Sequence, residues 1–135
     1  MLLLRPVSAT EARANWEWVR RGLLTVLERT RDDWTPEDIY VSIAGGAAQL
    51  FHMEHDGAAV GFTIMRRIED PSGIVLFVWV MYAAPGAIGQ NTGAWLAAVD
   101  AVARDMGAGR VRMASPRKGW RRYFKATQII YEREL

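Results

Sequence analysis

Ile74-Val-Leu-Phe-Val-Trp-Val-Met-Tyr82, followed by Ala83-Ala-Pro-Gly-Ala-Ile-Gly-Gln-Asn-Thr-Gly93, is the stretch that decides the fold. Its first nine residues carry no charge and are apolar on both faces. Such a strand must be covered on both sides, which predicts a place at the centre of a sheet. The Pro/Gly run ends it. Trp95, Leu96, Val99, Val102 and Met106 then recur at three- and four-residue spacing, the mark of an amphipathic helix from about Asn91 to Gly107. A buried strand that feeds a Gly-rich loop and then a helix leaves the first helical N–H groups unpaired, and those groups attract anions. Arg110 to Ala114 reads as the next strand, and strand–helix–strand in this order favours a parallel right-handed crossover.

Working outward, Gln49–His55 and Ala59–Ile68 read as strands on either side of Asp56-Gly57, a tight-hairpin signal. Glu69-Asp-Pro-Ser-Gly73 reads as a second turn, so these two strands and Ile74–Tyr82 form an antiparallel meander. Nearer the amino terminus, Leu2–Val7 reads as a first strand. Glu11–Arg31 reads as one helix, with Trp16, Val19, Leu23, Val26 and Leu27 on its apolar stripe. Thr35-Pro-Glu-Asp38 announces a second helix that stops at Gly45-Gly46: Thr35 caps, Pro36 suits the first position, and the acids complement the dipole. Downstream, Pro116–Lys125 predicts a short helix and Gln128–Leu135 a last strand. The whole chain, 1–135, reads as a single α/β (α+β) domain. Its sheet is mixed, mostly antiparallel and central, with helices on both faces.

Half of the 135 residues are hydrophobic and six are Trp, enough for a substantial core and against intrinsic disorder. The absence of cysteine excludes disulfides and thiolate metal sites. His52 and His55 fall on opposite faces of a strand, so they cannot share a metal, and no metal site is expected. Ser8, Ser42, Ser72 and Ser115 lack a nucleophile-elbow context. Met1–Pro6 is too short for the apolar region of a signal peptide, and Ile74–Pro85 falls short of the ~20 residues a spanning helix needs. These features predict a soluble protein of the cytoplasm. Charge is uneven: residues 104–135 hold nine Lys/Arg against three acids, a balance of +6, whereas residues 1–103 balance to −4. That basic quarter suits a solvated face, a phosphorylated cofactor or an acidic partner. No nucleic-acid-binding motif accompanies it, so nucleic acid is not the expected partner.

The element order resembles that of the GNAT superfamily, the acetyl-CoA-dependent N-acetyltransferases, over almost the whole chain. In that family, amides of the loop between the fourth strand and the next helix grip the cofactor's pyrophosphate, with the pattern Gln/Arg-x-x-Gly-x-Gly/Ala. Gln90-Asn-Thr-Gly-Ala-Trp95 matches its Gln and first Gly, with Trp95 in place of a small residue. The resemblance implies acetyl-CoA as cofactor, held by main-chain groups of Gln90, Asn91, Thr92, Gly93 and Ala94. A splayed main chain at Val80, Met81 and Tyr82 would take the pantetheine arm. In Ser115-Pro-Arg-Lys-Gly-Trp-Arg-Arg-Tyr-Phe-Lys125 the resemblance implies Tyr123 as the acid that protonates the departing thiolate, with Phe124 as the rival register. Thr127-Gln128 stands where Gly-Phe normally follows. Gly119-Trp120-Arg-Arg also resembles small phage-encoded GNAT-like proteins.

Each of these residues has a plainer reading. The loop can be an ordinary strand-to-helix connection, and Tyr123 a half-buried residue of an amphipathic helix. Trp34 and Trp120, beside turns and charges, are expected to be exposed. The strand Ile74–Tyr82 has no carboxylate or His to serve as a base; Glu69, Asp70, Glu54, His52 and His55 lie at a turn or on another strand. Two functions therefore stand. One is a divergent acyl-CoA-dependent N-acyltransferase, or a CoA-binding relative, acting on a small-molecule or protein amine in the cytoplasm of a bacterial host. The other is a catalytically inactive, phage-derived accessory or structural protein with the same fold, a protein partner and a place in the virion.

Overall fold

The computed structural model describes residues 1–87, 91–115, 117–127 and 131–135. Strand β1 (Leu2–Val7) pairs antiparallel with β2 (Gln49–His55), β2 with β3 (Ala58–Asp70), and β3 with β4 (Gly73–Ala83). Asp56 and Gly57 join β2 to β3 at φ values of 53° and 84°. Two positive φ values in a two-residue turn match the twist of the flanking strands. Helix α4 (Thr92–Asp105) then carries the chain to β5 (Arg110–Met113), which lies parallel to β4. The five strands lie in the order β1-β2-β3-β4-β5. The expected mixed, mostly antiparallel sheet is present, but β4 is fourth of five and β3 takes the centre. An apolar run reports cover on both faces, and that needs a neighbour on each side rather than the middle place. The turn before β4 is also shorter than expected: Glu69 and Asp70 still pair, with Ile74 and Gly73.

The helices sort onto both faces. The single helix expected over Glu11–Arg31 is two, α1 (Ala9–Ala14) and α2 (Trp16–Thr30), parted at Asn15. Asn has little helix preference because its side chain competes with the backbone for hydrogen bonds. Helix α1 also begins earlier, because Ser8 Oγ accepts the Glu11 N–H at 3.1 Å. Thr35 caps α3 (Pro36–Ala44) as the sequence predicts, and Asp38 does more than complement the dipole: Thr35 Oγ1 accepts from the Asp38 N–H, and Asp38 Oδ2 accepts from the Thr35 N–H. On this face Val19, Leu23, Ile39 and Ile43 bury against Leu50, Phe62, Ile64 and Val80. On the other, Trp95, Val99 and Ala103 of α4 bury against Phe51, Met53, Met65, Leu76 and Val78.

Three expectations need correction. Trp34 is buried in the first core, with its Nε1–H donating to Asp32 Oδ2 at 3.2 Å; a hydrogen-bonded indole costs little to bury. The helix expected over Pro116–Lys125 is one 3₁₀ turn, Lys118–Arg122, and Pro116 lies outside the described residues. The last strand was expected over Gln128–Leu135. Gln128–Ile130 lie outside the described residues, and Tyr131–Leu135 have no regular structure. Tyr131 and Leu135 are exposed, so no burial rewards ordering them into a strand. Among the described residues no helix is long and apolar enough to cross a membrane.

Candidate functional site

The pairing of β4 with β5 runs from Val75↔Arg110 to Val78↔Met113 and stops. At the next residue the ladder on the other side of β4 changes register. Met65 faces Val78, Ile64 faces Val80, and Trp79 is the extra residue of a bulge. Its effect on the side chains is direct. Leu76 and Val78 pack toward α4, whereas Trp79, Val80 and Tyr82 pack toward α2. Past the bulge a cleft of about 360 Å³ opens between β4 and the chain that follows β5. This is the carboxyl end of two adjacent parallel strands, where open α/β sheets commonly bind ligands.

Two glycines shape the β4 wall. A Cβ on Gly61 of β3 would stand 2.1 Å from the Tyr82 carbonyl oxygen. A Cβ on Gly22 of α2 would stand 2.5 Å from the Phe62 ring and 2.9 Å from the Tyr82 ring. Only glycine lets β3 and α2 close so tightly on Tyr82.

The sequence-derived site residues divide between this cleft and other places. Val80, Met81 and Tyr82 line it, as does Thr92. Asn91 is the N-cap of α4 and makes no side-chain capping bond. The first bond of α4 joins the Trp95 N–H to the Asn91 carbonyl, so the N–H groups of Thr92, Gly93 and Ala94 precede the intrahelical ladder. Among the described residues no heavy atom lies within 4 Å of where a Gly93 Cβ would sit, and Gly93 and Ala94 are exposed. Gln90 lies outside the described residues. Trp95 does not plug the cleft. It is fully buried, its Nε1–H donates to Thr63 Oγ1 at 3.0 Å, and its ring packs 5.6 Å from that of Trp120. Trp120 is half-buried at the cleft edge.

Tyr123 is elsewhere. Half exposed, it stands edge-on to Trp120 at 6.3 Å and lines a second groove with Phe124, Asp100, Arg104 and Lys125. The helix expected over this segment is only a 3₁₀ turn; Tyr123 stands exposed, while Phe124 is half-buried with its ring 6.0 Å from that of Trp120.

The carboxylates and histidines read from the sequence do not reach the cleft either. Asp70 sits at the opposite end of β4, where it accepts from Ser72 (2.7 and 2.9 Å), Arg110 (2.9 Å) and Arg112 (3.3 Å). The Ser72 hydroxyl first, then its N–H and Arg110, hold the Asp70 carboxyl down at about 2 against the effect of partial burial. On β1 and β2, Arg5 is bidentate to Glu11 (3.1 and 2.8 Å), donates Nε–H to Glu54 (3.2 Å), and lies 3.0 Å from His52 Nδ1. Burial first, and the Arg5 charge second, push the His52 pKa below its ordinary value. With Nδ1 accepting from Arg5, the ring is assigned as the neutral tautomer protonated at Nε2. His55 pairs with Asp56 at the hairpin.

The carboxylate that does line the cleft is Asp32, just past α2, together with Arg29 of its last turn. Arg31 ends α2 in the left-handed region (φ 54°, ψ 33°) and turns the chain. The buried Trp34 holds Asp32 by one oxygen. In the sequence the only hint was Arg31-Asp-Asp-Trp34, charges beside an aromatic after a helix.

No family model matches the chain, and no curated protein matches it by sequence. Solved structures match it from end to end. A ribosomal-protein-alanine N-acetyltransferase from Brucella melitensis is 15% identical, covers 100% of this chain and 99% of its own, and has a TM-score of 0.71. The fold is that of the GNAT acetyltransferases. An aminoglycoside N-acetyltransferase in complex with CoA is 14% identical, with 99% and 95% of the two chains covered and a TM-score of 0.68. An aminoglycoside acetyltransferase from an uncultured soil metagenomic sample, in complex with sisomicin, is 11% identical, with 99% and 96% covered and a TM-score of 0.70. At these identities the likeness speaks for the GNAT fold, not for a substrate.

Proposed function

We propose that this GNAT-fold protein is an acyl-CoA-dependent N-acyltransferase that acetylates a primary amine. One observation carries the reading: the cleft where β4 parts from β5 opens beside the uncovered first turn of α4. The residues present fit acetyl-CoA. An N-terminal turn whose N–H groups have no partner among the described residues suits a pyrophosphate, and an exposed helix start favours an anion by about 0.3–1 kcal/mol. Gly93 leaves room for close approach, and the inward turn of Trp95 keeps that room clear. Val80–Tyr82 stay paired with β3, but β5 has ended, so the main-chain groups of Trp79–Tyr82 that face its side can bond an extended amide-bearing arm.

Bound acetyl-CoA would supply the acetyl group for transfer to the amine nitrogen with release of the CoA thiol, and of the two protons the ammonium would lose, one would go to a base of this chain and the other to the thiol. Asp32 is the carboxylate placed to be that base, with Trp34 fixing its orientation. Such positioned proton transfer typically contributes ~10²–10⁴-fold. Solvent in the open cleft can protonate the sulfur, so Tyr123 is not needed for it. Main-chain N–H groups near Trp79 orient the carbonyl, and Val26 and Val80 give the apolar side of the wall. A cysteine-free chain suits a reducing bacterial cytoplasm.

Calorimetric titration with acetyl-CoA tests the reading: binding at micromolar to sub-millimolar concentration is expected, and no heat at millimolar cofactor would sink it. The position of Tyr123 outside the cleft favours a second reading, a non-catalytic descendant of phage origin that binds a protein partner. Measurable acetyl transfer to any member of an amine panel removes that reading.

A further inference from the structure

Two charge clusters in this molecule close on themselves: Arg5 with Glu11, Glu54 and His52 Nδ1 on β1, α1 and β2, and Asp70 with Ser72, Arg110 and Arg112 at the far end of β4. His52 Nε2 is buried without a hydrogen-bond partner among the described residues, and most of the other charged side chains there make no ion pair. In the cleft such unpaired charges line a concave site. Arg29, Asp32 and Arg117 all line it, and none has an ion-pair partner within 4 Å among the described residues. Arg29 and Asp32 are of opposite sign, three residues apart, on the same α2 side. Were the helix continued through Asp32, two such groups at this spacing would be neighbours able to form a weak ion pair. Here Arg31 leaves helical geometry between them, and the buried Trp34 takes one Asp32 oxygen. The pair is held apart and faces open space.

We infer that this split pair is the acceptor subsite, and that the acceptor is an amine that also carries a carboxylate — a free amino acid. The inference rests on the acyltransferase reading and sharpens it. The acceptor's ammonium meets Asp32, which takes its proton, and its carboxylate meets Arg29 in a planar two-bond contact. A polycationic amine would face Arg29 and Arg117 with like charge, and a simple monoamine would leave Arg29 unused. Arg117, on the chain after β5, remains for the cofactor's phosphates. Because Arg29 and Asp32 are exposed, solvent screens the contact and a modest preference is expected.

The test compares free amino acids with the matching amino-acid amides and decarboxylated amines, using the full chain. Transfer is read as release of the CoA thiol, and acceptor binding separately by calorimetry without cofactor. A free amino acid should exceed its amide by about tenfold in kcat/KM and in affinity, one charge-assisted contact being worth about 1.4 kcal/mol in a screened site. Arg29→Gln should bring that ratio down toward one, with the Kd for acetyl-CoA unchanged. The inference is overturned if amides or decarboxylated amines match the acids, or if Arg29→Gln lowers both alike. If acetyl-CoA binds and no amino acid does, the subsite falls and the acyltransferase reading stands. If an amino acid binds through Arg29 and acetyl-CoA does not, the reverse holds.

Discussion

The two ends of the β4–β5 pair follow opposite plans. At the end where pairing begins, Val75 faces Arg110, and the chain just beyond is sealed by charge: Asp70 takes bonds from Ser72, Arg110 and Arg112. At the other end, one bulge residue after the last pair, the strands part, and Arg29, Asp32 and Arg117 meet no ion-pair partner among the described residues, Asp32 being held only by the Trp34 N–H. The local sequence is equally apolar at both ends of β4, so apolarity does not distinguish them. What does is whether polar groups have been given to one another or left facing space. A satisfied cluster needs no ligand to explain it, whereas an open one at a strand divergence is where chemistry can be done.

The hardest blow to the open end should come from Gly61→Ala. The new methyl would overlap the Tyr82 carbonyl and the Ala83 backbone, which cannot rotate away as a side chain can. Overpacking of this kind costs typically about 1–3 kcal/mol and sometimes more, and a backbone clash belongs at the upper end. Urea unfolding should show that loss together with weakened acetyl-CoA binding. A variant as stable as the parent, with cofactor affinity intact, would mean that the wall of the cleft is not held by this contact.

The comparison sharpens further with two conservative carboxylate changes, one at each end. Asp32→Asn keeps an oxygen for the Trp34 N–H, so stability should move by less than about 1 kcal/mol. Removing a positioned base should lower kcat by about 10²-fold, the smaller end of the usual range for an exposed group. Asp70→Asn should leave kcat within about twofold, as expected for a surface charge far from the chemistry. Equal effects on turnover from the two variants would erase the distinction between the ends.

Much of the frame could be read directly from the chain. The extended run of β2, the alternation in β3, the Asp56-Gly57 turn, the Thr35 cap and the Trp95/Val99 stripe of α4 each have a local cause. Local patterns therefore foretold them. The cleft has no local cause. Its opening depends on a one-residue register change between Ile64 and Val80, and on β5 stopping at Met113. Nothing in Trp79 itself signals a bulge. Asp32 enters through a left-handed Arg31, a conformation that glycine or asparagine would have advertised and arginine does not. The expectation for Tyr123 comes from the family resemblance and not from local spacing; the segment folds one 3₁₀ turn, and the ring stands half exposed outside the cleft.

The sealed end makes its own prediction, in pH. The Asp70 carboxyl is held at about 2 in the fold, below the ~3.9 of an unfolded chain. The folded state therefore binds that proton less readily than the unfolded state. The stabilisation is complete above the unfolded value and drains away as pH falls through the folded one. Melting temperatures followed from pH 7 to pH 2 should fall on the acid limb, between about 4 and 2, less steeply in Asp70→Asn than in the parent. Identical acid limbs would show that the Arg110–Asp70–Ser72 cluster contributes nothing to the closed end.

The smallest expected change is the most discriminating for mechanism. Tyr123→Phe removes one hydroxyl from a ring that is half in solvent and lines the second groove, not the cleft. The hydroxyl donates to no partner among the described residues, and the ring's edge-on contact with Trp120 survives the change. kcat should stay within about twofold, since surface substitutions away from special features usually fall within ±0.5 kcal/mol. Proton delivery to a departing thiolate by a positioned tyrosine would instead make the loss about 10²-fold or more. A loss of that size would require the Lys118–Phe124 segment to swing toward the cleft during turnover. Trp120, which touches both Tyr123 and Trp95 at the cleft edge, would be the pivot, and its fluorescence on cofactor addition would report the movement.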